Sequence, residues 1–188
     1  WGAYYKIVSQ VLADSYLVDS FYALNCCLHV LNSILILKIL KLKSVPFKTS
    51  FWIGLIFLTH PMQLESVLWI SEGRGMLGWT FGLTAWILIL KNQRLFFLAI
   101  FFMSLALLSK PSFIILPTFF LVMEWDHLKS KKWFLLIIQS GFLLAILITQ
   151  SVQELPQYQL NIDFSTRIIY SLDSLGWYFT HIVFPKFE

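Results

Sequence analysis

Six strongly apolar runs constrain this chain more than any other feature. They cover residues 21–42, 51–59, 79–90, 95–108, 113–123 and 133–148, and short polar connectors separate them. Across the chain 58% of residues are hydrophobic and 13% are charged, whereas globular chains carry about 25% charged residues. Because a helix needs about 20 apolar residues to cross a bilayer, the pattern predicts an all-α, polytopic transmembrane bundle. We expect about six spans plus interfacial helices, which excludes a secreted disulfide module and a nucleic-acid-binding domain.

Lysine and arginine are distributed unevenly between the two sides that six alternating crossings create. The end of the first run and the connectors after the first, third and fifth runs hold nine: Lys38, Lys41, Lys43, Lys48, Lys91, Arg94, Lys129, Lys131 and Lys132. The other side holds four: Lys6, Arg74, Lys110 and Arg167. Cytoplasmic loops of membrane proteins are enriched in these residues. We therefore expect the first group to be cytoplasmic, and residues 1–20, 60–76, 109–112 and 149–167 to lie on the external face.

The ends of the chain and its two cysteines constrain the fold less than the apolar runs do. The sequence starts at Trp1, without an initiator methionine or a signal-peptide pattern, so we expect residues 1–188 to form one transmembrane domain within a longer protein. Cys26 and Cys27 are adjacent within the first run. Their spacing fits no metal site, and it predicts small buried hydrophobes rather than a disulfide.

The connector after the second run is unusually rich in ionisable residues. They are His60, Glu65, Glu72 and Arg74. If helix resumes after Pro61, then Glu65, Trp69 and Glu72 share one face at i, i+4 and i+7. This spacing predicts an acidic face turned into a cavity, with Glu72 and Arg74 in one polar pocket, because charged residues near a bilayer usually face partners or water. The alternative is that His60-Pro61 only ends a helix and the charged residues meet lipid headgroups.

Lys110 is the second candidate for chemistry. It lies between two apolar runs on the predicted external side, where the positive-inside bias acts against it. A lysine ammonium is a compact charge suited to a lipid-linked phosphate, and Arg74 and Arg167 are candidates for the same contact. The alternative for Lys110 is an interfacial lysine that extends to the headgroups.

A polar face on the first run predicts structure more than chemistry. Asn25, His29 and Asn32 recur at i, i+4 and i+7, and polar residues at that spacing usually hydrogen-bond between helices of a bundle. His127 belongs to a polar connector, residues 124–132, and we expect it to be solvated. No metal-ligand spacing, phosphate loop or catalytic triad pattern occurs in the sequence.

Several segments resemble one family of membrane enzymes. They are HPMQLESVLWISEGRGML (60–77), LALLSKPSFIILP with MEWD (105–117 and 123–126), YALNCCLHVLNSILILKIL (22–40) and IIYSLDSLGWYFTHIVFP (168–185). Together they resemble the membrane half of the tetratricopeptide-repeat-containing O-mannosyltransferase-like proteins, which are GT-C-type glycosyltransferases. The resemblance covers residues 20–185 and is closer to bacterial members than to animal ones.

The resemblance implies that a sugar moves from a polyprenyl-phosphate carrier to a protein or glycan acceptor on the external side of a bacterial inner membrane. It implies catalytic roles for Glu65 and Glu72, which position hydroxyls, and contacts of His60, Arg74, Lys110 and Arg167 with the lipid phosphate. The family's catalytic base belongs to an acidic motif that would precede Trp1. The lipid-linked sugar phosphate is the donor, and no metal or other cofactor is expected.

Two other functions stay open. The first is a catalytically degenerate relative that acts as a membrane scaffold or as a subunit of a larger assembly. It is motivated by Gly73-Arg74-Gly75, because bacterial members usually have an acidic residue after the basic one and this sequence has glycine there. A small-molecule transporter is the second. The sequence has neither an inverted repeat nor a pair of Gly/Pro-broken helices, and this disfavours the transporter.

Overall fold

The computed structural model describes residues 14–128, 131–152 and 163–183. These residues are almost entirely helical and contain no strand, which confirms the all-α prediction. The helices are α1 (Asp14–Leu42), α2 (Phe47–Thr59), α3 (Pro61–Leu68), α4 (Gly73–Lys91), α5 (Phe96–Ser109), α6 (Leu116–Met123), α7 (Trp125–Leu128), α8 (Lys132–Val152) and α9 (Phe164–Val183). Three 3₁₀ turns, Ile70–Glu72, Gln93–Leu95 and Pro111–Ile115, precede α4, α5 and α6.

The chain divides into two compact units, Trp1–Ile146 and Leu147–Glu188. The first contains α1 to α7 and most of α8, together with every site discussed below. The second contains α9, whose described side chains are almost all exposed on both its apolar and its polar faces. The single domain over residues 1–188 stays a prediction.

Two X-Pro pairs interrupt the helices where the sequence predicts breaks. His60 and Lys110 both have extended backbones, with ψ of 130° and 128°, because the ring of the following proline disfavours helical geometry in the residue before it. Each still closes the helix behind it, since His60 N–H donates to the Ile56 carbonyl and Lys110 N–H to the Ala106 carbonyl. The predicted end of the second run at His60-Pro61 is confirmed.

The polar face of α1 connects it to three neighbouring segments. Asn25 Nδ2 donates to the carbonyls of Val67 and Trp69, each at 3.2 Å. His29 Nε2 lies 3.1 Å from the Leu58 carbonyl at the end of α2. These side chains are buried, and each finds a backbone carbonyl near the end of a neighbouring segment, as polar groups inside a helical bundle usually do. The prediction that the face links helices is confirmed.

Asn32 extends the same face toward α4. Its Nδ2 donates to the Met76 carbonyl at 3.1 Å, and its Oδ1 accepts from Thr80 Oγ1 at 2.8 Å. Farther along α1, Ile39 packs in a small apolar cluster with Leu83 and Ile87 of α4. Contacts that advance together along both helices show that α1 and α4 run parallel.

The two cysteines are exposed, so the prediction that they are buried is wrong. The inward face of α1 is occupied by Asn25, His29 and Asn32. Residues one and two positions after Asn25 are rotated by about 100° and 200° around a helix of 3.6 residues per turn. Cys26 and Cys27 therefore lie on the outward face.

Helix α4 is the centre of the first unit, and its glycines determine how closely its neighbours approach. A Cβ at Gly78 would lie 2.3 Å from the Phe113 ring, and one at Gly82 would lie 2.9 Å from Leu116 Cδ1. Small residues allow this kind of close packing between helices. The main apolar core lies between α4, α5, α6, α7 and α8, with Met103, Phe120 and Leu135 almost fully buried in it.

One helix in the described part of the chain is long and apolar enough to cross a bilayer alone, over Asp19–Leu42. Four further apolar segments are shorter: Phe47–Thr59, Phe96–Ser109, Pro111–Met123 and Lys132–Ala145. Their 13 or 14 residues rise about 20 Å at 1.5 Å per residue, which is less than the hydrocarbon core of about 30 Å.

Candidate functional site

Glu72 and Lys110 form an ion pair at the start of α4. Lys110 Nζ lies 2.7 Å from Glu72 Oε2 and 2.9 Å from Oε1, so it donates to both carboxylate oxygens. The two side chains are 31% and 41% exposed. Both residues were predicted to contribute to the site, and the fold brings them together across 38 residues of sequence.

Local backbone geometry positions both partners. Glu72 ends the 3₁₀ turn Ile70–Glu72 directly before α4, and Lys110 occupies the extended residue between α5 and Pro111. Gly75, one turn into α4, leaves room for the pair, since a Cβ there would lie 3.0 Å from Glu72 Oε2. The ammonium and the carboxylate therefore lie directly against the backbone of α4.

The pair lines a cavity of about 200 Å³, called here the polar cavity. Its wall combines charged, polar and aromatic residues: Asn32, Phe57, Gln63, Ser66, Glu72, Gly75, Met76, Trp79, Lys110, Ser112, Phe113, Ile115 and Leu116. The Trp79 ring is half-exposed and stands edge-on to the Phe113 ring at 5.4 Å between centroids. The polar cavity thus offers an ammonium, a carboxylate, two amides and two hydroxyls beside an indole ring.

This set of groups is suited to a small polyhydroxylated or anionic ligand. An ammonium attracts a phosphate oxygen, and amides and hydroxyls exchange hydrogen bonds with sugar hydroxyls. Concave sites of a few hundred Å³ with a few converging polar groups are typical of ligand pockets. No group of three His, Cys, Asp or Glu residues arranged to hold a metal occurs among the described residues.

The other predicted site residues lie elsewhere or are not described. Arg74 is exposed on α4 and does not line the polar cavity, so the pocket predicted for Glu72 and Arg74 contains only Glu72. His60 is half-buried, and its Nδ1 accepts the Met62 N–H at 3.2 Å. The side chains of Glu65 and Arg167 lie outside the described residues.

The predicted shared face of Glu65, Trp69 and Glu72 is wrong. Trp69 has an extended backbone, with φ −83° and ψ 112°, which ends α3 before the 3₁₀ turn. The face would require continuous helix from Pro61 to Glu72. Asn25 donates to the carbonyl of Val67, just before this break, and to that of Trp69 at the break. The Trp69 carbonyl also accepts the Glu72 N–H at 3.0 Å.

A second ion pair, named here the Glu124 cluster, lies near the other end of α4. Lys43 Nζ is 2.6 Å from Glu124 Oε1, and Trp86 Nε1 donates to the same oxygen at 2.7 Å. Lys43 also lies 5.5 Å from the centroid of the Trp86 ring. Glu124 is 6% exposed. The sequence placed Glu124 in a polar connector and gave no sign of this burial.

Residues of the polar cavity that the sequence did not single out include Gln63, Ser66, Trp79 and Ser112. Only their positions carried a signal, because each lies two to nine residues from Glu72 or Lys110. No family model, curated protein or solved structure matches this chain. The site therefore rests on geometry alone.

Proposed function

We propose that this chain is the membrane core of a GT-C-type glycosyltransferase. It transfers a sugar from a polyprenyl-phosphate carrier to an acceptor hydroxyl on the external side of the membrane. The observation that carries the proposal is the Glu72–Lys110 pair in the wall of the polar cavity. The pair combines a cation for a phosphate with a carboxylate for hydroxyls, and it lies where the motifs of the resemblance meet.

The reaction places separate demands on these groups. The acceptor oxygen bonds to the anomeric carbon, the bond from that carbon to the phosphate oxygen breaks, and its electron pair leaves with the polyprenyl phosphate. Lys110 stabilises the negative charge on the departing phosphate. Glu72 orients sugar or acceptor hydroxyls. The acceptor proton passes to a carboxylate, for which Glu65, Glu72 and the acidic motif implied upstream are the candidates.

The Glu72–Lys110 pair can separate for this purpose at small cost. Exposed ion pairs contribute about 0–1 kcal/mol, and both side chains are partly exposed. A phosphate that contacts Lys110 replaces one anionic partner by another. The carboxylate of Glu72 is then free to accept hydrogen bonds from the sugar or the acceptor.

We also propose that the helices cross the membrane about six times in alternating directions. The contacts between connectors support this topology. Lys43 meets Glu124, and both belong to the predicted cytoplasmic side; Glu72 meets Lys110, and both belong to the predicted external side. Large apolar side chains on outer surfaces, including Phe47 at 82% and Trp133 at 70% exposure, agree with a lipid environment.

Labelling of single cysteines tests this topology. In a Cys26→Ala, Cys27→Ala background, Ser112→Cys is expected to react with a membrane-impermeant maleimide added outside intact cells. Lys41→Cys is expected to react only after permeabilisation. Equal labelling of both variants in intact cells would contradict the crossing scheme.

Transfer assays test the enzymatic proposal. Membranes containing the full-length protein are supplied with a radiolabelled polyprenyl-phosphate sugar, and transfer to endogenous acceptors is measured. Lys110→Met and Glu72→Gln are expected to abolish transfer, whereas Lys41→Met, an exposed lysine outside the polar cavity, is expected to retain it. Wild-type transfer by Lys110→Met would refute the site assignment.

One observation favours the scaffold as a second candidate. Both oxygens of Glu72 accept hydrogen bonds from Lys110, which is the arrangement expected of an ion pair that stabilises the fold and binds no substrate. In that case the wild-type protein transfers no sugar from any polyprenyl phosphate, and it co-purifies with membrane partners that Glu72→Gln leaves bound.

A further inference from the structure

A second hollow continues from the polar cavity along α4. Its volume is about 180 Å³, and its wall, which includes Gly82, Trp86 and Phe119, is apolar throughout. We call it the apolar groove. Because no polar group lines it, a charged or hydroxylated ligand group would lose its hydrogen bonds to water there without replacement.

The apolar groove and the polar cavity share three wall residues, Trp79, Ile115 and Leu116. On α4, residues 75, 79, 82 and 86 follow one helical face at i, i+4, i+7 and i+11, passing from the cavity into the groove. The facing segment advances in parallel, from Phe113 against Trp79 to Phe119 against Trp86. The two hollows are therefore neighbours between α4 and residues 110–120, divided by the wall that they share; together they are called here the channel.

The channel has one polar end and one closed end. The Glu72–Lys110 pair lies at the start, and Trp86, anchored to Glu124, ends the apolar part. The eleven residue steps of α4 from Gly75 to Trp86 rise about 16 Å. Ile115 is 67% exposed and Trp79 is 49% exposed, so the channel opens sideways at the surface of the bundle.

We infer that the apolar groove holds the hydrocarbon chain of a single-chain lipid phosphate whose phosphate contacts Lys110. The inference rests on the proposed function for the head group and adds the location of the chain. An ammonium beside a cavity that leads into a wholly apolar groove matches the order of groups in such a lipid. One groove between two parallel segments accommodates one chain, which disfavours two-chain glycerophospholipids as ligands.

Binding measurements on the purified full-length protein in nanodiscs test this assignment. The probes are a radiolabelled long-chain polyprenyl monophosphate, isopentenyl monophosphate, which has nearly the same head on a short chain, and phosphatidate. Gly82→Leu is expected to fill the groove, since even a Cβ there approaches Leu116. It should weaken binding of the long-chain probe by about tenfold or more and change binding of the short-chain probe by less than about twofold.

Phe119→Ser is a second variant, which keeps the test decisive if Gly82→Leu does not fold. Its matched control is Phe101→Ser, because Phe101 is 56% exposed on α5 and lines neither hollow. Three results would each overturn the inference. They are an equal loss of affinity for the long-chain and short-chain probes, an unchanged affinity in a groove variant that folds, and phosphatidate binding as tight as that of the polyprenyl probe.

The two proposals fail separately. Binding that depends on chain length and on Gly82, in a protein that transfers no sugar, supports the apolar groove and removes the enzymatic function. Sugar transfer that changes neither with the chain length of the carrier nor with the two groove variants supports the enzymatic function and removes the apolar groove as the site of the chain.

Discussion

The two ion pairs near the ends of α4 have the same chemistry and different surroundings. In both, a lysine meets a glutamate, and 38 residues separate Glu72 from Lys110 just as 38 separate Trp86 from Glu124. The spacing is shared because α4 and residues 110–124 run parallel. Yet Glu124 is 6% exposed while Glu72 is 31% exposed.

This difference in burial indicates different roles. Glu124 accepts from Trp86 and Lys43 at one oxygen and lies in a closed environment, where loss of a partner is costly. Glu72 and Lys110 are partly solvated beside a cavity, where an exchange of partners costs little. We therefore expect the Glu124 cluster to maintain the fold and the Glu72–Lys110 pair to contact ligands. The predictions below test this division, from the largest expected effect on stability to the smallest.

Replacement of Glu124 should have the largest effect. Glu124→Ala removes the acceptor of the Trp86 N–H, and hydrogen bonds to a charged group contribute about 1.5–3 kcal/mol. It also removes the partner of Lys43, which is 34% exposed, and a partly exposed ion pair adds about 0–1 kcal/mol. Chemical denaturation of the purified protein measures this loss. Glu124→Gln, which keeps an acceptor for Trp86, should lose less. A free energy of unfolding within about 0.5 kcal/mol of wild type for Glu124→Ala would remove the structural role.

Trp86 and Trp79 provide a matched comparison of the two ends. Trp86→Phe deletes the hydrogen bond to a carboxylate at 2.7 Å, and such bonds contribute about 1.5–3 kcal/mol. The indole of Trp79 makes no hydrogen bond within the described part of the chain, and Trp79→Phe should be close to neutral. Thermal unfolding followed by circular dichroism compares the two variants, and equal losses would contradict the distinction.

Close packing near the polar end is tested at a glycine. Gly78→Ala places a Cβ 2.3 Å from the Phe113 ring, and overpacking of this kind costs about 1–3 kcal/mol. The control is Gly141→Ala, where nothing lies within 4 Å and alanine favours helix by up to about 1 kcal/mol. The melting temperatures of the two variants should therefore change in opposite directions.

Lys110→Met should have a small effect on stability and a large effect on function. Loss of a partly exposed pair costs less than about 1 kcal/mol, whereas sugar transfer and binding of the lipid phosphate should be lost. Lys43→Met should destabilise more, because it leaves the buried Glu124 without its cation. Chemical denaturation of the two variants measures their free energies of unfolding. A larger loss of stability for Lys110→Met than for Lys43→Met would mean that the Glu72–Lys110 pair, and not the Glu124 cluster, maintains the fold.

Much of the fold could be predicted because its signals are local. Apolar runs predict helices, and X-Pro pairs predict the breaks at His60 and Lys110 through steric effects confined to neighbouring residues. The polar face of α1 predicts links between helices through its period alone. The break at Trp69 was missed because no proline or glycine marks it and because part of its support comes from Asn25, which lies 44 residues away in the sequence and donates to the Trp69 carbonyl.

The candidate site was only partly predictable. Glu72 and Lys110 were conspicuous as charged residues beside apolar runs, but their pairing depends on how α4 and α5 pack. Glu124 appeared to belong to a solvated connector, and its burial arises from contacts with Lys43 and Trp86. Gln63, Ser66 and Ser112 are common residue types with no distinctive pattern.

The amino-acid sequence by itself determined that the chain is helical, where its helices break and which face of α1 bonds to its neighbours. These properties depend on sterics and periodicity within a few residues. Only the tertiary structure decided which charges meet, which carboxylate is buried, and that a polar cavity continues into an apolar groove. Those outcomes depend on the register of segments distant in sequence, and no local pattern encodes that register.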